Sequence, residues 1–176
     1  MHRIISGILD LERAQSGAAA REVCDTGQLL RVAAGELERE AINKNLALSL
    51  DIPDGLPSVL GDSHQLCQMF ANLIENAVKF TPQGGAVNVR AWADGDWLTV
   101  EVADTGIGIP PEAVERIFDR FYRAHQPGAE HISGSGLGLS LVKTIVDTHG
   151  GDITVESELG GGARFRVALP ACDVEP

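Results

Sequence analysis

A chain of 176 residues, 44% hydrophobic and 22% charged, has the make-up of one globular domain, or of one domain carrying an attached helix. It is long enough to bury a real core, and a formal charge of −11 speaks against a nucleic-acid partner, because phosphate backbones require a basic face. The three cysteines, Cys24, Cys67 and Cys172, are widely spaced and form no CxxC, so neither a disulfide framework nor a zinc site follows. No run approaches the roughly 18 apolar residues of a membrane span and no signal peptide is recognisable, so the chain is expected to be soluble and cytoplasmic.

Residues 1–17 place Ile4, Ile8 and Leu11 on one helical stripe, and Gly17 marks a stop. So short a helix is marginal alone, so its stripe must pack on this domain or on a partner helix. Glu22-Val23-Cys24 suits a short strand. Asp25-Thr26-Gly27-Gln28 is a capping start for a helix to about Lys44, and Leu46 through Ile52 alternates as a strand does. Pro53 through Pro57 is a turn region.

Asp62-Ser63-His64-Gln65 opens a second long helix with two distinct faces. Leu66, Met69, Phe70, Leu73 and Ala77 share an apolar arc, while Gln68, Asn72, Asn76 and Lys79 gather opposite at spacings of three and four. A solvated face normally carries Glu and Lys. A neutral-to-cationic stripe on so acidic a chain is therefore a candidate binding surface. Thr81 through Gly85 ends that helix, and strands at 86–93 and 97–103 follow, joined by Asp94-Gly95-Asp96.

The second strand ends in Asp104-Thr105-Gly106-Ile107-Gly108-Ile109-Pro110. A carboxylate at the rim of an apolar sheet is costly unless something donates hydrogen bonds to it, and an adenine amine or a bound water would do so. A tight glycine turn capped by aspartate has the same sequence. Next come a short helix near 111–117, Phe118-Asp119-Arg120-Phe121-Tyr122-Arg123, and an aperiodic Gly-, His- and Ser-rich loop at 124–135 that is expected to be mobile. Gly134-Ser135-Gly136-Leu137-Gly138-Leu139 leads into a helix to about His149, and 152–157 with 163–169 form a hairpin around Gly160-Gly161-Gly162. His64, His125, His131 and His149 are read as ordinary structural or surface histidines.

Taken together, four segments resemble the motif set of sensor histidine kinases. Asn72-Leu-Ile-Glu-Asn76-Ala-Val-Lys79-Phe80 resembles the N box and Asp104-Thr-Gly-Ile-Gly108 the first glycine box. Phe118-Asp-Arg-Phe-Tyr-Arg123 resembles the F box and Gly134-Ser-Gly-Leu-Gly138 the second glycine box. The resemblance spans roughly residues 20–170. It implies an α+β fold, the two-layer α/β sandwich shared with gyrase, Hsp90 and MutL-type ATPases, with a mixed sheet covered by helices on one face. Residues 18–172 would form the catalytic ATP-binding domain and 173–176 a tail.

The same resemblance implies ATP and Mg²⁺ as ligands. Asp104 would accept the adenine amine, Gly106 and Gly108 would allow close approach, and Ile109 would continue that contact. Asn76 would hold Mg²⁺ through its amide oxygen, with Asn72 assisting. Lys79 and Arg123 would meet the phosphates, which with Asn72 makes them the catalytic candidates. Phe80 would pack near base or ribose, and Phe118 and Tyr122 would join the nucleotide contacts. Gly134, Ser135, Gly136, Leu137 and Gly138 would present backbone N–H groups to phosphate. Residues 109–136 would be a lid that closes over nucleotide.

Two departures from the family pattern stand out. Ala163 occupies the place after the last hairpin glycine, where Thr or Ser is usual, so adenine contacts are expected to be thinner. Residues 1–17 resemble the end of a second dimerisation helix, and no H box with a phospho-accepting histidine is present. This polypeptide is therefore expected to bind Mg-ATP without phosphorylating itself. Its partners would be the dimerisation domain of the same full-length protein and a response regulator, with a membrane-anchored parent compatible with the sequence. A hydrolytic ATPase of the same fold is the competing reading, but Asn72 stands where such enzymes use a glutamate base. A non-catalytic docking module is the other alternative.

Overall fold

The structure, a computed structural model, describes residues 2–16, 21–124, 128–129, 132 and 134–172. In chain order the elements are α1 (His2–Ser16), β1 (Glu22–Cys24), α2 (Thr26–Asn43), β2 (Ala47–Asp51), β3 (Ser58–Gly61) and α3 (Ser63–Phe80). Then follow β4 (Ala86–Asp94), β5 (Trp97–Asp104), α4 (Pro111–Val114), α5 (Gly138–Thr148), β6 (Asp152–Glu158) and β7 (Gly162–Cys172). The stop expected at Gly17, the tail 173–176, and His125 and His131 lie outside the described residues.

Both long helices begin as their capping sequences dictate. Asp25 accepts the Gln28 N–H at 2.9 Å and Asp62 accepts the Gln65 N–H at 3.0 Å, each satisfying one orphan donor of a first turn. The end of α3 is closed by Lys44, whose Nζ donates to the carbonyls of Val78, Lys79 and Thr81 at 2.7, 3.0 and 2.8 Å.

The strands form one mixed, seven-stranded sheet in the order β1-β3-β7-β5-β4-β2, with β6 also on β7. The β2–β4 pairing is parallel and the others described are antiparallel. Register decides the two faces. Val89, Val102 and Phe165 align across β4, β5 and β7, as do Ala91, Val100 and Val167, and all six are buried under the helices. The alternate row Arg90, Glu101 and Arg166 lies on the opposite, polar face, where Arg166 Nε donates to Glu101 Oε2 at 2.7 Å. Among the described residues the helices therefore cover one side, the two-layer α+β arrangement expected. Leu66, Met69, Phe70, Leu73 and Ala77 of α3 are all buried, as the apolar arc predicts.

Three local readings need correction. The strand β3 was not expected after the 53–57 turn, because four residues, Ser58-Val-Leu-Gly61, are too short to show a period; pairing with β1 and the end of β7 makes it a strand. The helix expected near 111–117 is a single turn, α4, followed by further turns. On α1 the buried positions are Leu11 and Ala14, whereas Ile8 is 39% exposed. The helix turns Gly7 toward α5, within contact of Leu137, and close approach at a small residue displaces Ile8 from the interface. The side chain of Ile4 is outside the described set.

Candidate nucleotide-binding cavity

Because β5 alternates, Leu98, Val100, Val102 and Asp104 point the same way, toward the helices. Asp104 thus ends an apolar row with a carboxylate. Its Oδ1 accepts the Gly106 N–H at 2.7 Å and the Ala163 N–H at 3.3 Å. No donor among the described residues reaches Oδ2. Burial pushes the Asp104 carboxyl above its ordinary value, partly offset by the two backbone N–H groups.

Asp104 stands at one end of a cavity of about 520 Å³, a size that suits a small organic ligand. The stripe on α3 faces the same space: Gln68, Asn72, Asn76 and Lys79 all line it, and so does Phe80 at the helix end. The stripe is thus a cavity wall. Asn72 Nδ2 donates to Gln68 O at 2.8 Å, which fixes that amide with its oxygen toward Gly138, within 2.9 Å of where a Cβ would stand there. Lys79 Nζ lies next to Gly134, 3.2 Å from a Cβ built on it.

Gly108 and Ile109 continue the wall from the Asp104 loop, and Tyr122 and Arg123 face it from the segment beyond α4. The guanidinium of Arg116 stacks over the Tyr122 ring at 4.4 Å and holds it in place. Arg123 is exposed and donates through Nη2 to the Ile132 carbonyl. Gly134, Ser135, Gly136, Leu137 and Gly138 line the far end, where α5 begins with no side-chain cap at Leu137. The Leu137 N–H donates to Ser135 Oγ at 3.3 Å, and a helix start whose cap residue supplies no side-chain acceptor favours negative charge. Lys79, Arg123 and this helix start bring positive charge to the cavity of a chain of charge −11, beside the carboxylates of Asp10 and Glu75.

Two of the expected residues are placed otherwise. Phe118 packs partly buried against the core, and Gly106 is buried beneath Asp104, where a Cβ would stand 2.6 Å from both Asp104 Oδ1 and Phe80 O. Neither lines the cavity. Gly106 is required by packing inside its own loop.

Several wall residues escaped sequence reasoning. Ser6, Gly7 and Asp10 of α1 close the polar end, and Asp10 Oδ2 accepts from Gln68 Nε2 at 2.8 Å. The one available signal was Gly7, which interrupts the apolar pattern of α1. Glu75 and Phe165 also line the cavity. Among the described residues no three His, Cys, Asp or Glu side chains converge on a metal-sized point, and no helix is long and apolar enough to cross a membrane.

Residues 61–173 match the profile of the histidine kinase-, DNA gyrase B- and HSP90-like ATPase family. The chain is 34% identical to the sensor histidine kinase RppB of Synechocystis sp., over 99% of its own length and 39% of that protein. It is 38% identical to the circadian input-output histidine kinase CikA of Thermosynechococcus vestitus, over 96% of its length and 24% of the relative. It therefore spans about two-fifths or less of the curated relatives it matches. Among solved structures, the mycobacterial sensor histidine kinase MprB superposes with a TM-score of 0.73 at 28% identity, covering 86% of this chain and 97% of that one. Full-length ShkA in complex with AMPPNP gives 0.80 at 34% identity, covering 98% of this chain and 36% of the other.

Proposed function

The chain belongs to the histidine kinase-, DNA gyrase B- and HSP90-like ATPase family, and from that premise we propose that it is the ATP-binding catalytic domain of a sensor histidine kinase. The observation that carries this reading is the polarity of the cavity. One end offers a half-buried carboxylate with an oxygen that no described donor reaches, the other gathers Lys79, Arg123 and the start of α5, with apolar wall between. A nucleotide has the matching order of a donor-bearing base, a ribose and an anionic tail. Its base amine would donate to Asp104 Oδ2, with Phe80, Gly108 and Ile109 along the base and ribose.

The phosphates would lie toward Lys79, Arg123 and the start of α5 at Gly136, Leu137 and Gly138, where preorganised positive charge favours the developing transition state. Ser135 and Tyr122 complete that wall. The Asn76 amide oxygen fits Mg²⁺, a hard ion that keeps waters and phosphate oxygens as its other ligands, with Asn72 beside it. Bound there, the ion would neutralise phosphate charge. In the transfer step the bond from the γ-phosphorus to the bridging oxygen breaks, ADP leaves with the electron pair, and a bond forms to an imidazole nitrogen supplied by a dimerisation domain. Asn72 has no basicity with which to activate water, which supports transfer over hydrolysis. AMPPNP in the related ShkA structure is an adenine nucleotide, in keeping with this reading. A response regulator would then receive the phosphoryl group.

The test uses γ-labelled ATP, Mg²⁺ and a separately supplied dimerisation domain bearing the acceptor histidine. The expected result is an acid-labile label on that domain that requires this chain. Steady release of inorganic phosphate with no labelled domain would overturn the proposal in favour of an ATPase.

A further inference from the structure

The loop that carries Asp104 is held from below by the turn between β6 and β7. Most of the clamp is backbone. Gly160 N–H donates to Ile107 O at 2.8 Å, and Ala163 N–H reaches Asp104 Oδ1. The fit is close: a Cβ on Gly108 would stand 2.0 Å from Glu158 O, and one on Gly162 would stand 1.9 Å from Asp104 O. From the side of the β6–β7 hairpin a side chain also joins this clamp, that of Ser157 near the end of β6. Its Oγ accepts the Ile109 N–H at 2.9 Å and donates to the Gly162 carbonyl at 2.6 Å.

Those partners flank the site. Ile109 lines the cavity, and Gly162 precedes Ala163, which both lines the cavity and donates to Asp104. Ser157 itself does not line the cavity. It sits opposite Ala163 in the β6–β7 register, one hydrogen bond from each wall. We propose that Ser157 is the positioning residue of the base-binding end, fixing Asp104 and Ile109 relative to each other through a single hydroxyl. This rests on the nucleotide reading given above. An alanine there leaves the Ile109 N–H without its acceptor and the Gly162 carbonyl without its donor, so Ile109 is tied to the turn only through the neighbouring backbone bonds. Threonine keeps the donor and acceptor and is at home in a strand.

Because the hydroxyl acts at the base end, its loss must weaken ADP and Mg-ATP by the same factor. A lesion at the phosphate end would separate the two ligands. The experiment titrates both nucleotides calorimetrically into the parent, Ser157→Ala, Ser157→Thr and Thr154→Ala, with melting temperatures in parallel. Thr154 is an exposed residue of the same strand and controls for a general loosening of β6. Expected are affinities about tenfold weaker for both nucleotides in Ser157→Ala, the equivalent of roughly one hydrogen bond, restored in Ser157→Thr and unchanged in Thr154→Ala. Parent-like binding by Ser157→Ala overturns the role, and so does an equal loss in Thr154→Ala. A parent that binds neither nucleotide overturns the function proposed above, and this role with it.

Discussion

The two ends of the cavity are built by different means. The Asp104 end is a strand terminus clamped by backbone hydrogen bonds to the β6–β7 turn, with its carboxylate half-buried and its glycines packed against carbonyls. The other end is assembled from side chains of α1 and α3, an exposed arginine and an uncapped helix start. A rigid, desolvated end can discriminate by hydrogen-bond direction. A charged, partly exposed end can attract and can adjust to the number of phosphates, but its contribution is screened by salt.

The sharpest way to break the clamped end is Gly162→Ala. Gly162 has a φ of 90°, and its new Cβ would overlap Asp104 O. Strain and overlap together should lower unfolding free energy by more than about 4 kcal/mol in urea denaturation, with nucleotide binding lost. Parent-like stability would mean that the turn does not press on the loop as described.

At the charged end, Lys79→Ala and Arg123→Ala should each weaken Mg-ATP by about tenfold, as expected for loss of a charge-assisted contact, and adenosine hardly at all. The deficit should shrink as salt rises. Equal losses for adenosine and ATP would place these residues at the wrong end of the ligand.

A smaller effect separates structural from ligand-facing titration. His149 is buried, accepts the Asp62 N–H through Nε2 at 3.1 Å and contacts Ile145 O through Nδ1 at 2.7 Å. These two bonds need the neutral Nδ1–H tautomer. Burial holds its pKa below the ordinary value, so the unfolded chain takes up the proton first. The stability this gives is present above the unfolded value and is lost as pH falls through the folded one. Melting temperature should therefore drop by a few degrees between about pH 7 and 5, and His149→Gln should flatten that slope. An unchanged slope would show that other groups dominate.

Much of this architecture was legible in local sequence because local chemistry decides it. Asp25 and Asp62 cap the helices they precede, period-2 alternation aims Asp104 at the helix layer, and the Gln68-Asn72-Asn76-Lys79 stripe becomes a wall. Placement of α1 was not legible, since nothing in its own residues says that Gly7 would meet Leu137 or that Asp10 would meet Gln68. β3 is a strand only by virtue of its partners, and Ser157 matters only through residues about 48 positions before it and 5 after it. The missing hydroxyl at Ala163 could be read, but its backbone N–H bond to Asp104, which any residue there except proline could make, could not.

The most direct measurement of the central claim is calorimetric titration of ADP and Mg-ATP into the parent and Asp104→Asn, with melting temperatures of both. In the variant the amide oxygen is retained by Gly106 and Ala163 N–H, so the amide NH₂ replaces Oδ2 and presents a donor to a donor. Because burial raises the Asp104 pKa, its charge opposes folding at neutral pH, and that penalty appears as pH rises through the folded value. The account predicts affinity at least about 100-fold weaker for both nucleotides, with a melting temperature no lower than the parent's. Parent-like affinity in Asp104→Asn would contradict it.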